Sequence, residues 1–342
     1  MTDNAASLPQ TCLVARAGGS GLADLKLVEE PLRAPAEGEV LLEMMRMTIN
    51  PADLLLLEGR YGHQPPAPFT PGAEGVGRVL AVGAGVSGLA PGDLAMPVST
   101  GNWRSHRVLK AQFVMPLPAD ADLDQAAMLK ANPATALVML EEWVSLSPGD
   151  WVVMNAANSA LGQNVLRLAG TMGVNVAAIV RREGAAALPR RLGAAAVLVD
   201  DGSGPAPALP DGAQARLGLD AVGGAATERL GAMMADGGLV VTYGLLSGES
   251  PRLRAHDLVF RGLTLRGFWL ADWFANTPPE RIKPLFARLM DHLAKGVIGA
   301  EVEARFALSD IAAAVESAAR QGRDGKILLT GTGTGTDTGT GA

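Results

Sequence analysis

The sequence predicts an α/β protein: a doubly wound parallel sheet, preceded and followed by parts of a small, partly open β-barrel. Three observations predict it. Residues 151–182 read as a strand, a small polar turn, a helix and a second strand. From about Leu123 onward, helical runs alternate with apolar strands, the pattern of a parallel sheet with helices on both faces. The first 130 residues instead carry short strand patterns broken by Pro and Gly. A chain of 342 residues is long enough to give each part its own core.

In the first part, Val40-Leu-Leu-Glu-Met44 and Val76-Gly-Arg-Val-Leu-Ala-Val82 are strand candidates. Pro65-Pro66, Pro71-Gly72, Gly83-Ala-Gly85 and Pro91-Gly92-Asp93 punctuate them. In the second part, strands are expected at 151–154, 174–180, 196–199, 217–221, 238–243 and 262–268. Trp151-Val-Val-Met154 is the apolar run of a strand buried on both faces. Leu161, Val165, Leu168, Ala169 and Met172 then recur at helical spacing, and Gly173 stops that helix. After Trp273, a helix is expected over Pro279–Lys295, a strand over Gly299–Phe306, a helix over Ser309–Arg320 capped by Ser309, and a strand over Lys326–Thr330. The domains expected are therefore 1–130 and 274–330 for the barrel and 131–273 for the doubly wound sheet. Residues 331–342, alternating Gly and Thr, are expected to be a disordered tail. The active site is expected in the cleft between the domains, at the carboxyl ends of the parallel strands.

The turn Asn155-Ala-Ala-Asn158-Ser159-Ala160-Leu161-Gly162 between the first strand and its helix is the place for a dinucleotide pyrophosphate, held by helix N-terminal N–H groups. Only Gly162 keeps a glycine of the usual fingerprint, so side chains of Asn158 and Ser159 are expected to replace some backbone contacts. The second strand ends in Arg181-Arg182, about 20 residues past the turn. An acid there would hold a ribose 2′-hydroxyl; arginine suits a 2′-phosphate, which selects NADPH over NADH. The plainer alternative is a similar fold without cofactor, its arginines merely solvated.

Composition narrows the function classes. Hydrophobic residues make up 48% and charged residues 19%, the balance of a globular chain. A net charge of −6 with no basic run argues against nucleic acid as the main partner. The single Cys12 can form neither an internal disulfide nor a multi-thiolate zinc site. His63, His106, His256 and His292 show no ligand-like spacing. No apolar run approaches the roughly 18 residues of a membrane span. Met1–Gln10 lacks both an apolar core and arginine, which argues against a signal peptide or presequence, and the alanine-rich composition suggests a bacterial, cytoplasmic protein.

Barrel, nucleotide domain, barrel again is the order of the medium-chain dehydrogenase/reductase superfamily, with its GroES-like barrel and Rossmann sheet. Pro71-Gly-Ala-Glu74-Gly-Val-Gly-Arg-Val79 resembles the superfamily's early glycine-rich strand. Its zinc alcohol dehydrogenases carry a histidine ligand just before that glutamate, where this chain has Ala73. The resemblance therefore implies a zinc-free member without catalytic metal, whose hydride goes to an activated carbon–carbon double bond or a quinone.

Further segments resemble the mitochondrial-type 2-enoyl thioester reductases (trans-2-enoyl-CoA reductases). They are Ile49-Asn-Pro-Ala-Asp53, Glu58-Gly-Arg-Tyr61-Gly62, Asn132-Pro-Ala-Thr135-Ala136, Asn155-Ala-Ala-Asn158-Ser159, Val241-Thr-Tyr243-Gly244 and Arg266-Gly-Phe268-Trp269-Leu270. The resemblance implies conjugate reduction: hydride from NADPH to Cβ of an enoyl-CoA or enoyl-acyl-carrier-protein, charge on the thioester oxygen, a proton to Cα. It places the catalytic tyrosine at Tyr61, one of two tyrosines in the chain; a phenol can donate to a developing enolate or pass on a proton. It places Asn132 and Thr135 at the cofactor, although Asn-Pro also suits a plain helix cap.

By the same resemblance, Asn158, Ser159, Ala160, Leu161, Gly162, Arg181 and Arg182 bind the nucleotide. Tyr243, Gly244, Leu245 and Leu246 are expected near the nicotinamide, and Phe268, Trp269 and Leu270 line it. For Phe268 and Leu270, core packing is at least an equal reading. Lys326 is close to a lysine the family uses for the cofactor, and Lys130 either meets a phosphate or is solvated. A homodimer is implied, pairing through the strand near Leu263–Arg266. A zinc-free quinone or alkene reductase, and a non-catalytic NADPH-binding protein, are the competing readings.

Overall fold

The computed structural model describes residues 8–320, 322–323 and 325–331. The expected tail from 332 onward and most of the N-terminal decapeptide lie outside the described residues. Two units result, Met1–Lys130 with Glu301–Ala342 and Ala131–Ala300.

In chain order the first unit contributes β1 (Thr11–Arg16), β2 (Lys26–Pro31), β3 (Glu39–Thr48), α1 (Pro51–Leu57), β4 (Gly75–Val82), β5 (Leu94–Pro97), β6 (His106–Lys110), β7 (Val114–Pro116) and α2 (Leu123–Ala127). The second unit runs through α3 (Asn132–Glu141), β8 (Trp151–Met154), α4 (Ala160–Thr171), β9 (Asn175–Val180), α5 (Ala187–Arg191), β10 (Ala196–Val199) and β11 (Ala215–Asp220). It continues with α6 (Ala225–Ala232), β12 (Met234–Thr242), α7 (Ala255–Val259), β13 (Thr264–Gly267), α8 (Leu270–Asn276) and α9 (Pro279–Ala294). The chain then returns to the first unit with β14 (Val302–Ala307), α10 (Ile311–Ala319) and β15 (Lys326–Thr330).

β3 organises the first unit. It pairs antiparallel with β4, β6 and β15, in a sheet of order β14-β15-β3-β4-β5-β7. One strand can serve three partners because register shifts at Leu41/Leu42 and Met44/Arg46 bend it. Its Val40, Leu42, Met44 and Met47 meet Trp103 and the apolar face of α10, Ile311, Ala314, Val315 and Ala318, in one core. Trp103 is fully buried, and its indole N–H is satisfied by Thr48 O at 2.8 Å.

The second unit holds an all-parallel sheet of order β10-β9-β8-β11-β12-β13. The order reverses between β8 and β11, which makes the crevice past their carboxyl ends the ligand position of this topology. α4 buries Gln163 and Asn164 as well as Leu161, Val165, Leu168 and Ala169, because α3 covers the flank away from the sheet.

Three expectations need correction. Residues 274–300 pack with the second unit rather than returning to the barrel. α9 buries Leu285, Phe286 and Leu289, and its Arg281 and Arg288 pair with Glu142 and Glu141 of α3 at 2.7 and 2.5 Å. Half-exposed ion pairs contribute only about 0–1 kcal/mol each, whereas each buried apolar side chain contributes about 1.5–3, so the apolar face decides where α9 docks. The strand expected from Gly299 starts at Val302, because Gly299 N–H is held by Asn164 Oδ1 of α4 at 3.0 Å. Ser309 does not cap α10; it lies inside a 3₁₀ turn, Leu308–Asp310. The N-cap is Asp310, whose backbone (φ −98°, ψ 25°) is not extended, and it makes no side-chain cap bond.

Candidate active site

The polar turn after β8 is built from within. Asn155 Nδ2 donates to Asp220 Oδ1 at 2.7 Å and Asn155 Oδ1 accepts from Ala221 N–H at 2.8 Å, lacing the end of β8 to that of β11. Ala156 takes a left-handed backbone conformation (φ 49°), and Ser159 caps α4 by accepting from Gly162 N–H at 3.1 Å. Helix geometry leaves the N–H groups of Ala160 and Leu161 without intrahelical acceptors, so they form the anion-receptive end of the turn.

Gly162 is required for another reason than ligand approach: a Cβ there would lie 2.3 Å from Ala157 O. The Leu161 side chain is buried, so its contact with a ligand would be through its N–H. Asn158 is half-buried, and its carbonyl accepts from Gln163 Nε2 at 3.3 Å. Of the two side chains expected to replace backbone contacts, Ser159 is thus already occupied as an acceptor and keeps only its O–H to offer.

Arg181 and Arg182 follow β9 and are exposed. Neither guanidinium has a hydrogen-bond or ion-pair partner among the described residues. The adjacent Glu183 is paired with Arg190 at 2.8 Å, which leaves both guanidinium charges uncompensated.

Asp220, which sequence reasoning missed, is the hub of the crevice. It is fully buried at the end of β11 and accepts five hydrogen bonds. Oδ1 takes Asn155 Nδ2 and the N–H groups of Val222 and Gly223, the latter two at 3.0 Å each. Oδ2 takes the hydroxyls of Thr227 and Thr242, at 2.7 and 3.1 Å. An acid closing an otherwise apolar strand and followed by Gly223-Gly224 was the available signal.

β12 then leads into Tyr243, whose N–H donates to Asp220 O at 2.9 Å. The Tyr243 hydroxyl is buried and has no hydrogen-bond partner among the described residues. Burial, and secondarily the charge of Asp220, push its pKa above the ordinary phenol value. Gly244 is needed because a Cβ would come within 2.6 Å of Ala221 O. Leu245 and Leu246 are 55% and 60% exposed, an unusual placement for two adjacent leucines.

Beyond β13, Phe268 N–H bonds Thr242 O at 2.9 Å and its ring packs edge-on against Trp143 at 5.3 Å. Leu270 opens α8 and is half-buried, while Trp269, its N-cap residue, is 39% exposed. Asn132 is the first residue of α3, whose N-cap is Ala131, so the plain capping role is not taken. Its Nδ2 is buried without a hydrogen-bond partner among the described residues. Thr135 lies one turn further on, half-buried.

In the first unit, α1 carries Asn50 and Asp53 into a buried polar network. Asp53 accepts from Asn50 N–H at 2.8 Å and Ala73 N–H at 2.9 Å; Asn50 Nδ2 donates to Thr48 Oγ1 and Glu74 Oε1, both at 2.9 Å. Lys326 closes the network by donating to Ile49 O at 3.0 Å and to Asn50 Oδ1. Its ammonium is therefore buried, with two of its three N–H donors committed within the unit. Lys130 needs correction: neither solvated nor at a phosphate, it is buried and donates to Ala73 O at 2.6 Å and Val98 O at 2.9 Å. Tyr61 follows α1 after Gly59, where the chain passes so close to Gly19 O that a Cβ would sit 2.7 Å from it. Tyr61 is half-buried in a segment without regular structure.

Burial raises the Asp53 carboxyl to about 6 and lowers both Lys130 and Lys326 to about 8. For Lys130 the acids Glu74 and Asp53 oppose the shift and Arg107 adds to it. Lys130→Met is expected to destabilise the protein by about 3 kcal/mol, because it leaves two carbonyls and nearby acids without their cation. Above pH about 8 the folded protein has released a proton that the unfolded chain, with its ordinary lysine, still holds. Wild-type stability therefore gains on that of the variant between pH about 8 and 10. Denaturant melts across this range check both statements; equal stability at every pH would refute the burial of a charged amine.

Residues 160–290 match the family profile described as zinc-binding dehydrogenase, and residues 36–119 that of the alcohol dehydrogenase GroES-like domain. The human mitochondrial enoyl-acyl-carrier-protein reductase is 35% identical over 317 residues, 90% of this chain and 84% of that protein. Among solved structures, a Bacillus thuringiensis protein whose name proposes an NADPH:quinone reductase superposes with TM-score 0.85 at 28% identity, covering 95% of this chain and 99% of the other. The Etr1p/NADP/crotonyl-CoA complex superposes with TM-score 0.84 at 22% identity, over 94% and 99%.

Proposed function

The chain belongs to the family of the mitochondrial enoyl-acyl-carrier-protein reductases, and on that premise we propose that it is an NADPH-dependent oxidoreductase that reduces the trans-2 double bond of enoyl thioesters, carried on CoA or carrier protein, in fatty-acid metabolism. The observation that carries this reading is the 35% identity to the human reductase along 90% of the chain. The residues present fit the cofactor: the open N-terminus of α4, the uncompensated Arg181 and Arg182, and the orphaned amide of Asn132. When bound, NADPH supplies the hydride that goes to Cβ of the acceptor. Ala160 and Leu161 N–H hold the pyrophosphate, Arg181 and Arg182 hold the 2′-phosphate, and Asn132 with Thr135 orients the nicotinamide end. Trp269, with Leu245 and Leu246, offers the apolar surface for the acyl chain.

Tyr61 is the catalytic residue. Its phenol donates to the thioester oxygen as enolate charge develops there, which stabilises that charge more than the ground state, and it stands in the route of the proton to Cα. A quinone reductase is the second reading, favoured by the 28% identity to the Bacillus thuringiensis protein. Following the loss of NADPH absorbance with crotonyl-CoA and, separately, with benzoquinone distinguishes them. Turnover of the thioester supports the first reading; turnover of quinone alone overturns it.

A homodimer is the assembly proposed. Among the described residues β13 pairs only with β12, which leaves its outer edge open, and Leu258, Val259 and Phe260, just before it in sequence, are 43%, 69% and 77% exposed. Phe260→Asp is expected to give monomers of unchanged fold by light scattering, since the side chain touches little of its own unit; a dimer that persists would refute this interface. Among the described residues no helix is long and apolar enough to cross a membrane. The cytoplasmic, bacterial location rests on composition alone, and the relatives are named as mitochondrial enzymes.

A further inference from the structure

We propose that the cavity between the β1–β2 ribbon and β6 binds a small organic acid, one that carries a carboxylate or a phosphate on a compact apolar body. The cavity measures about 450 Å³, within the range of small-molecule sites. All of its lining residues belong to the first unit, so it shares none with the nucleotide turn after β8. Three pieces of chain shape it. Cys12 of β1 stands opposite Glu30 of β2. The chain entering β6 runs along β1 through the Val14–Arg104 bridge and the bond from Ser105 N–H to Leu13 O at 2.8 Å. Arg104, His106 and Val108 alternate along that extended stretch and so share one face, and all three line the cavity.

The charge in the lining is not balanced. Arg104 is half-buried; its Nε donates to Gly101 O at 3.0 Å, and its two terminal nitrogens have no partner among the described residues. The acids at the cavity cannot supply one. Glu30 is held by Arg16 through two bonds at 2.7 and 2.8 Å, and the exposed Arg33 already has Glu39 at 2.5 Å. Burial raises the Cys12 thiol, against the pull of Arg104, so it adds no negative charge at neutral pH. Arg107, just beyond Arg104, also bonds only neutral oxygens, those of Ser99, Thr100 and Asn102. Burial, with the Arg104 charge added, lowers it to about 10. Excess positive charge in a chain of net charge −6 marks a place for an anion.

The geometry of the donors narrows the ligand. With Nε occupied, Arg104 keeps the side-by-side N–H groups of its two terminal nitrogens, which match two oxygens of a carboxylate or phosphate. Ser105 Oγ accepts from Leu13 N–H at 2.9 Å and lies 3.0 Å from His106 Nδ1. Its hydroxyl proton is therefore given to Nδ1. Burial, opposed by Glu43, lowers the His106 pKa, so the ring is neutral and carries its proton on Nε2, a further donor. Leu32 and Val108 supply apolar wall. A bare inorganic ion would leave most of the space unfilled, which is why the anionic group should bring a body with it.

The test follows melting of the wild-type protein at constant ionic strength, with sodium chloride exchanged for sodium phosphate in one arm and sodium succinate in the other. At least one of the two is expected to stabilise the protein beyond chloride, and the arm that does so identifies the anionic group. Arg104→Lys keeps the charge without the paired N–H groups and should weaken the apparent affinity about tenfold, and Arg104→Gln about a hundredfold. The nucleotide-binding residues are the same in all three proteins, so anions held there contribute equally to each. In the same titration the ring protons of His106, assigned by NMR with His106→Gln, should shift, a readout that needs no Arg104 variant to fold. No stabilisation of the wild type by either anion, equal affinity in wild type and Arg104→Gln, or unmoved His106 resonances would overturn the proposal.

Discussion

Tyr61→Phe is expected to lower kcat/KM for crotonyl-CoA by roughly a hundred- to a thousandfold, the scale of losing a positioned proton donor. The substitution keeps the ring and removes the phenol O–H proposed to meet a developing enolate oxygen. NADPH binding should stay within error of wild type, since the groups proposed to hold the phosphates and the nicotinamide end all lie in the second unit. Reduction of benzoquinone, which has less need of a proton donor at this place, should be little affected. Steady-state rates with both acceptors and a titration with NADPH check the three parts together. A variant that retains crotonyl-CoA turnover within about threefold would remove Tyr61 from the chemistry and leave it a loop residue at the barrel.

Arg182→Ala is expected to raise KM for NADPH about ten- to a hundredfold, the equivalent of one charge-assisted hydrogen bond to phosphate. Any activity with NADH should remain as it was, because NADH lacks the 2′-phosphate. The fold should not suffer, since Arg182 is exposed and has no partner among the described residues to strand. Added salt should weaken NADPH binding to wild type more than to the variant, as expected for an exposed ionic contact. Equal losses with NADPH and NADH would show that Arg182 acts on something common to both, and would end its assignment to the 2′-phosphate.

The residues whose role is local were legible. Apolar runs such as 151–154 and 196–199 became strands with those bounds, and Gly173 stops α4 in a left-handed conformation (φ 69°). Arg181 and Arg182 stand at the end of a strand because their position follows from strand length alone. Less legible were glycines and charges whose reasons lie across the fold. Gly162 and Gly244 read only as members of the expected cofactor site, whereas each has to be a glycine because another backbone already occupies the space of its Cβ. Residues 274–300 looked like a return to the barrel by composition, which cannot say whose apolar surface an amphipathic helix such as α9 will cover.

By itself, then, the sequence determined the α/β class, the barrel–sheet–barrel order, the polar turn after β8, the two arginines at the end of β9 and the family. Each of these is written in periodicity or in short contiguous motifs, where neighbours in sequence are neighbours in space. Only the tertiary structure decided which polar groups are committed and which are left unmatched. It turned Lys130 and Lys326 inward onto backbone carbonyls, saturated Asp220 with five donors, and left Asn132 and Tyr243 each with a buried donor unmatched. The physical reason is that a hydrogen bond or an ion pair is a property of two groups, and here the partner groups lie tens or hundreds of residues apart, from Asn155 to Asp220 and from Ile49 to Lys326.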